Sequence, residues 1–165
     1  VCSSALDKDV KRERLSVAES VNAVKDRKID AFFWVGGLPT AAVTDLANTP
    51  GTKIVMVDTN AEVGAMNKKY GNLYFDAVIP KATYSGMAKD NKVAAVANIL
   101  VVNANMPDDQ AYKITKAIFD NKIDLVRTHQ EYMNVLLENQ KAKASPVEFH
   151  PGALKYYKEK NIKVN

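Results

Sequence analysis

Up to about residue 102, short apolar runs alternate with stretches in which apolar residues recur at helical spacing. The apolar runs predict strands at 10–15, 31–35, 53–57, 73–79 and 92–102. Helices are predicted between them: one opens with the capping box Ser16-Val17-Ala18-Glu19, another covers 40–48, and a third covers about 60–70 and ends at Gly71. This alternation predicts an α/β layered domain with a mainly parallel sheet.

From Pro107 onward the pattern becomes helical. Pro107-Asp108-Asp109 gives an acidic first turn, which suits the helix dipole. A second helix is predicted at roughly 122–140, and a last helix opens at His150-Pro151-Gly152. The strand at 92–102 is unusually long and is predicted to cross between two bodies. The predicted organisation is therefore a lobe at 1–91, a crossing or hinge strand at 92–106, and a helical segment at 107–165.

The most informative stretch is residues 31–42, where an apolar strand breaks at Gly36-Gly37 and a helix follows. Adjacent glycines let the backbone turn sharply and approach a ligand closely. With Pro39 at the first helical position, the helix would direct free N–H groups towards an anion such as a carboxylate. Two alternatives remain at this point. The turn is only a tight connection, or it is a dinucleotide site with Asp58 about 20 residues on, although that fingerprint needs three spaced glycines.

Composition narrows the possible functions. The net charge is +4, from 23 Lys and Arg against 19 Asp and Glu, and the basic residues are scattered among acids, so nucleic-acid binding is not indicated. A single cysteine, Cys2, and two histidines supply no metal set, and no cofactor is predicted. The longest apolar stretch, near 93–102, is too short to span a membrane. Val1 follows neither an initiator Met nor a signal peptide, which predicts a chain cut from a longer one.

The polar residues that catalysis would need have simpler explanations. Ser16 and Ser20 fit a helix cap and a helix surface, and Asp108-Asp109 fits a helix start. His150 precedes a proline and is interpreted as a local hydrogen-bonding residue, while His129 lies on the predicted 122–140 helix. Since no nucleophile, base or carboxylate pair converges in the sequence, the chain is predicted not to be an enzyme.

Four blocks resemble one family of transport receptors. They are IDAFFWVGGLPTAAVTDLA (29–47), AVIPKATYSGM (77–87), VAAVANILVVNANMPDDQAYKITKAIFDN (93–121) and FHPGALKYYKEKNI (149–162). In this order they are similar to the TAXI family of TRAP transporter solute receptors. The resemblance implies a two-lobed, type II periplasmic binding fold that closes around its solute by a hinge. It covers the carboxyl-terminal half of such receptors, so the amino-terminal lobe and signal peptide are expected to precede this segment.

The resemblance also implies the function. Such receptors capture a small carboxylate (glutamate, glutamine or a related organic acid) in the periplasm and deliver it to a sodium-driven permease, with no chemistry done on the ligand. The alternative is a soluble sensor or regulatory module with the same fold. The 107–140 helices are expected to expose apolar surface that the missing lobe, or self-association, would cover.

The resemblance and the Gly-rich turn together give the predicted ligand-binding residues. Trp34 is predicted to pack on the carbon chain of the ligand, Gly37 and Thr40 to donate to a carboxylate, and Thr83 and Tyr84 to add hydroxyl contacts. Trp34 could instead be core, and Thr40 could only cap its own helix. Ala82 stands where the family tends to have Gly, which would be strained if φ were positive there. The full set is Trp34, Val35, Gly36, Gly37, Pro39, Thr40, Thr83 and Tyr84.

Overall fold

The computed structural model describes residues 9–141 and 145–164. Two compact units can be separated: one runs to Ile54 and includes Tyr84–Gly86, and the other contains Val55–Thr83 and the residues from Met87 onward. None of the helices in the described ranges has the length and apolar content that crossing a membrane requires.

The first unit contains helices α1 (Val17–Lys25) and α2 (Ala41–Ala47). The capping box predicted before α1 is confirmed: the Ser16 amide donates to Glu19 Oε2 at 2.7 Å, and the Glu19 amide donates to Ser16 Oγ at 3.3 Å. The two helices pack on each other, and the core of this unit contains Val21, Val43 and Leu46, all of them buried. Apolar spacing on two short helices therefore supplies the local core.

The sheet in the second unit is antiparallel, so the predicted mainly parallel sheet is not found among the described residues. Strands β1 (Tyr74–Ile79) and β2 (Asn91–Val96) pair from Tyr74 opposite Val96 to Ile79 opposite Asn91. The strands predicted at 10–15, 31–35 and 53–57 do not form, and the predicted 92–102 strand pairs only to Val96.

These differences have one physical cause. An apolar run can enter a sheet only where a second strand supplies its hydrogen-bond partners, and periodicity does not reveal that partner. In the 31–35 run, Phe33 is 96% exposed and Val35 is 74% exposed, the opposite of a strand buried on both faces. The pair that does form joins two strands that follow each other along the chain, and antiparallel pairing needs no crossover element between them.

The remaining helices of the second unit follow the sequence closely at their starts and less closely at their ends. A 3₁₀ turn (Asn60–Glu62) leads into α3 (Val63–Tyr70), which ends at Gly71 with φ +92°, as predicted. Helices α4 (Asp108–Asp120), α5 (Lys122–Thr128) and α6 (Pro151–Glu159) complete the unit, with short 3₁₀ turns at Gln130–Asn134 and Leu137–Asn139. The single helix predicted at 122–140 is wrong, because the backbone becomes extended at His129.

The core of the second unit lies between α4 and α6. Ala111 of α4 and Gly152, Tyr156 and Tyr157 of α6 are buried. The Phe119 ring stacks on Tyr156 with ring centroids 5.7 Å apart. Aromatic packing of this kind fixes the distance between the two helices.

Candidate functional site

The loop between Trp34 and Thr40 is held by its own side chains. The Trp34 indole Nε1 donates to the Thr40 hydroxyl oxygen at 2.9 Å, and that hydroxyl donates to the Gly37 carbonyl oxygen at 2.9 Å. Trp34 is 47% exposed, so the alternative that it is a core residue is wrong. The indole is therefore half-exposed, and the next residue, Val35, is 74% exposed.

Gly36 is required by close packing. A Cβ atom built on Gly36 would lie 2.7 Å from three atoms of the Trp34 indole. Positive φ occurs at Gly51, Gly71 and Gly86 among the glycines, and not at Gly36. The missing side chain therefore makes room for the indole of the same loop.

Pro39 lies outside the helix, which corrects its prediction as the first helical residue. Thr40 is the N-cap residue with extended dihedrals (φ −87°, ψ 122°), and α2 begins at Ala41. The Leu38–Pro39 peptide bond is cis. The Thr40 side chain makes no capping hydrogen bond to α2, so the alternative that this hydroxyl only caps its own helix is also wrong.

Tyr84 approaches this loop from a segment 44 positions further along the chain. Its hydroxyl oxygen accepts the Thr40 backbone N–H at 2.9 Å, and the side chain is 4% exposed. Both residues belong to the first compact unit. The structure thus brings together three of the predicted residues, Trp34 and Thr40 from the 29–47 block and Tyr84 from the 77–87 block. The Thr40 amide already has an acceptor, so an anion would compete with the phenol oxygen for it.

The other residues of the Tyr84 loop have local partners. Thr83 belongs to the second unit, where its amide donates to the Pro80 carbonyl oxygen at 2.9 Å. Ala82 has no positive φ, so the alanine at this position is unstrained; the left-handed residue of the loop is Gly86, with φ +82°. The departure from the family pattern at Ala82 therefore has no backbone consequence.

Asp58 has a structural function in the second unit. Its carboxylate accepts hydrogen bonds from Lys89 Nζ at 2.9 Å, Asn91 Nδ2 at 2.6 Å and the Lys92 amide at 3.0 Å. The hydrogen bond from Lys89, followed by the one from Lys92, lowers the pKa of Asp58 to about 2. Because its oxygens already bind these groups, Asp58 does not present a free carboxylate to a ribose, which removes the main support for a dinucleotide site.

The two histidines weighed as catalytic candidates have identifiable hydrogen-bond partners, whereas Ser20, predicted on a helix surface, is buried in α1. His150 Nδ1 accepts the Gly152 amide at 3.1 Å and Nε2 lies 3.0 Å from the Met106 carbonyl oxygen, which confirms the prediction of a local hydrogen-bonding residue. His129 Nδ1 accepts the Glu131 amide at 3.1 Å. Over residues 9–141 and 145–164, His, Cys, Asp and Glu form no cluster of three or more that could hold a metal ion. Cys2 lies outside these ranges.

A hollow in the second unit was not predicted from the sequence. It has a volume of about 320 Å³ and lies beside the end of α4. Its lining carries Asp120 and Glu138 as well as Lys122 and Lys160, so it favours no single sign of ligand charge. No sequence signal identifies it, because its walls come from three segments that meet only in the folded chain.

Comparison with known families adds one finding. The sequence profile of the NMT1-like family matches residues 3–160. The match therefore covers both compact units and includes the Trp34–Thr40 loop, Tyr84 and the α4–α6 pair.

Proposed function

The chain belongs to the NMT1-like family, a periplasmic binding protein-like family of solute-binding proteins, and on this premise we propose that it is a receptor of the TAXI type for a small carboxylate. Its ligand is glutamate, glutamine or a related organic acid. The receptor works outside the cytoplasm and passes the ligand unchanged to a TRAP-type permease.

The contact between Thr40 and Tyr84 is the observation that supports this proposal most. A buried phenol and a backbone amide from two distant segments meet at 2.9 Å, next to the half-exposed indole of Trp34. Convergence of a few polar groups beside an apolar surface is typical of small-molecule sites. The two segments belong to the two blocks that resemble the receptor family in this region.

The chemistry of these groups suits a carboxylate. A carboxylate oxygen that replaces the Tyr84 oxygen at the Thr40 amide would free the phenol, and the phenol O–H would then donate a hydrogen bond to the same carboxylate. Hydrogen bonds to an ionised acceptor are roughly twice as strong as neutral ones, which makes the exchange favourable. The indole face of Trp34 and the side chain of Val35 would cover the carbon chain of the ligand.

The proposal includes a second lobe that closes over this surface. Contacts to a carboxylate weaken greatly in water, so a one-sided site binds weakly and a closed cleft binds tightly. We therefore expect this chain alone to bind its solute weakly and a receptor with both lobes to bind it tightly. Comparable affinities measured by calorimetry would contradict the two-lobe arrangement while leaving the carboxylate site intact.

Trp34 is the single tryptophan of the chain, so intrinsic fluorescence reports on the proposed site alone. Titration with glutamate, glutamine and 2-oxoglutarate should change the emission saturably for at least one of them. The matched ester, in which every carboxylate of the same compound is esterified, should produce no change, because it has no carboxylate. Tyr84→Phe should weaken binding, whereas Tyr132→Phe, an exposed tyrosine of the second unit, should leave it unchanged.

Two results would refute the proposal. One is the absence of saturable binding by every acid, both to this chain and to a receptor with two lobes. The other is equal binding of the acid and its fully esterified form, because that would show that the carboxylate charge is not recognised.

A further inference from the structure

The outward-facing residues of β1 can be identified from one side chain. Asn67 of α3 binds the backbone of Tyr74 twice: its Nδ2 donates to the Tyr74 carbonyl at 2.9 Å, and its Oδ1 accepts the Tyr74 amide at 3.0 Å. Both backbone groups of Tyr74 therefore point away from β2. Because backbone orientation alternates along a strand, those of Asp76 and Val78 point the same way.

The outer edge of β2 confirms this alternation independently. The residues of β2 that face Asp76 and Val78 are Ala94 and Lys92. The Lys92 amide donates to Asp58, the Ala94 amide donates to Thr59 Oγ1 at 3.1 Å, and the Thr59 amide donates to the Lys92 carbonyl at 2.9 Å. The outward groups of β2 are thus largely paired within the chain.

The outer edge of β1 remains open over Asp76–Val78. None of the described residues forms a hydrogen bond with the outward backbone groups of Asp76 or Val78. Val78 is 52% exposed and Phe75 is 44% exposed. A two-stranded sheet is marginal in water, and an open edge is a template for another strand.

We propose that this edge pairs with the same edge of a second copy of the chain, antiparallel and with the two-fold axis at Ala77. In that register Asp76 lies opposite Val78 of the second copy, and Val78 lies opposite Asp76. Each of these pairs exchanges both of its backbone hydrogen bonds, so all the open groups find partners. The result is an isologous four-stranded sheet.

The side chains of β1 are self-complementary in this register. Phe75 lies opposite Ile79 of the second copy, which is an aromatic and β-branched pair of the kind that stabilises sheets. Ala77 lies opposite Ala77 of the second copy in a pair that is not hydrogen-bonded. Side chains are closest in pairs of this kind, so a small residue is needed there. The one charged residue of the strand, Asp76, faces a valine and not another carboxylate.

The ends of the paired segment are also determined. The Tyr74 backbone groups are already bound by Asn67, and Pro80, after the end of β1, has no N–H to donate. The ladder is therefore short. We expect a reversible dimer that forms at high protein concentration, as is typical of small interfaces.

Sedimentation equilibrium of the intact chain over about 10 µM to 1 mM tests the proposal, because this range brackets weak association. Val78→Pro removes an outward donor without removing an inner ladder bond, and should weaken the dimer at least about tenfold. Val78→Asp keeps the backbone and places a carboxylate directly opposite Asp76 of the second copy, so charge repulsion gives the same test if the proline variant fails to fold. Val78→Thr, which keeps the N–H and a β-branched side chain, should still dimerise.

Hydrogen exchange locates the contact. The Asp76 and Val78 amides should exchange more slowly as the wild-type concentration rises, and the amides of residues 76 and 78 should show no such dependence in Val78→Asp. A monomer at all concentrations would overturn the proposal. So would a dimer that Ile123→Lys disrupts and Val78→Asp does not, because that dimer would use the exposed helical residue Ile123.

Discussion

Replacing Gly152 by alanine gives the sharpest test of how α4 and α6 pack. Gly152 is buried in the first turn of α6, and a Cβ atom added there would lie 2.2 Å from the Asp108 carbonyl oxygen. The same atom would lie 2.9 Å from the Tyr112 amide nitrogen and 3.0 Å from the Ala111 Cβ. Two of the three obstructing atoms belong to the backbone of α4. Relief of the overlap therefore requires one helix to move.

Two effects of opposite sign decide the magnitude. Helix propensity favours alanine over glycine by up to about 1 kcal/mol. Overpacking a tight core costs about 1–3 kcal/mol, and the upper end applies where backbone atoms obstruct the added group. The Gly152→Ala variant should therefore lose about 2 kcal/mol of unfolding free energy. The loss should appear as a lower urea midpoint in circular dichroism.

Gly64→Ala is the matched control. Gly64 lies within α3, and a Cβ atom added there would meet no atom within 4 Å. Only the propensity effect remains, so this variant should gain about 0.5–1 kcal/mol. The reasoning would be refuted if Gly152→Ala were as stable as the wild type, or if both variants shifted the midpoint in the same direction.

Three further predictions concern single side chains. Tyr84→Phe leaves the Thr40 amide without its acceptor and should cost about 1–3 kcal/mol in a urea titration followed by Trp34 fluorescence; an unchanged midpoint would count against the contact. Asp58 has a pKa of about 2, so its ionised form stabilises the fold at neutral pH, and this contribution is lost as pH falls from about 4 through 2. Asp58→Asn should thus be less stable than wild type at pH 7 and approach it near pH 2, and a gap independent of pH would contradict this. His150→Ala should cost about 0.5–2 kcal/mol through loss of the α6 cap, and His150→Asn should cost less; equal losses would show that capping is not the cause.

Three local sequence signals correctly predicted where a helix begins or ends. The Ser16 capping box, the glycine stop at Gly71 and the acidic start at Asp108 each act within one turn of backbone, so the residues that carry the signal also make the contact. The capping interaction of His150 was predictable for the same reason.

Signals that depend on distant partners failed. The 31–35 run has the composition of a buried strand but no strand beside it among the described residues, and the 122–140 pattern has helical spacing but extends through His129, where the chain turns away from the helix. Apolar periodicity records which face can be buried and does not record what buries it. The Asp58 network was missed for the same reason, since its donors lie more than 30 positions away.

The structure gives the glycine at position 36 a different role from the one that the sequence predicted. Glycine was expected to let the backbone approach a ligand. In the structure, the absence of a Cβ at Gly36 instead leaves room for the Trp34 indole. The indole and Thr40 hold each other through one hydrogen bond, while Tyr84 holds the Thr40 amide. A ligand that takes over the Thr40 amide therefore acts on the indole and the phenol together. The hydrogen bonds within the loop organise it through its own side chains, and this preorganisation lowers the entropy lost on binding, while the Tyr84 hydrogen bond is the one that a ligand must displace.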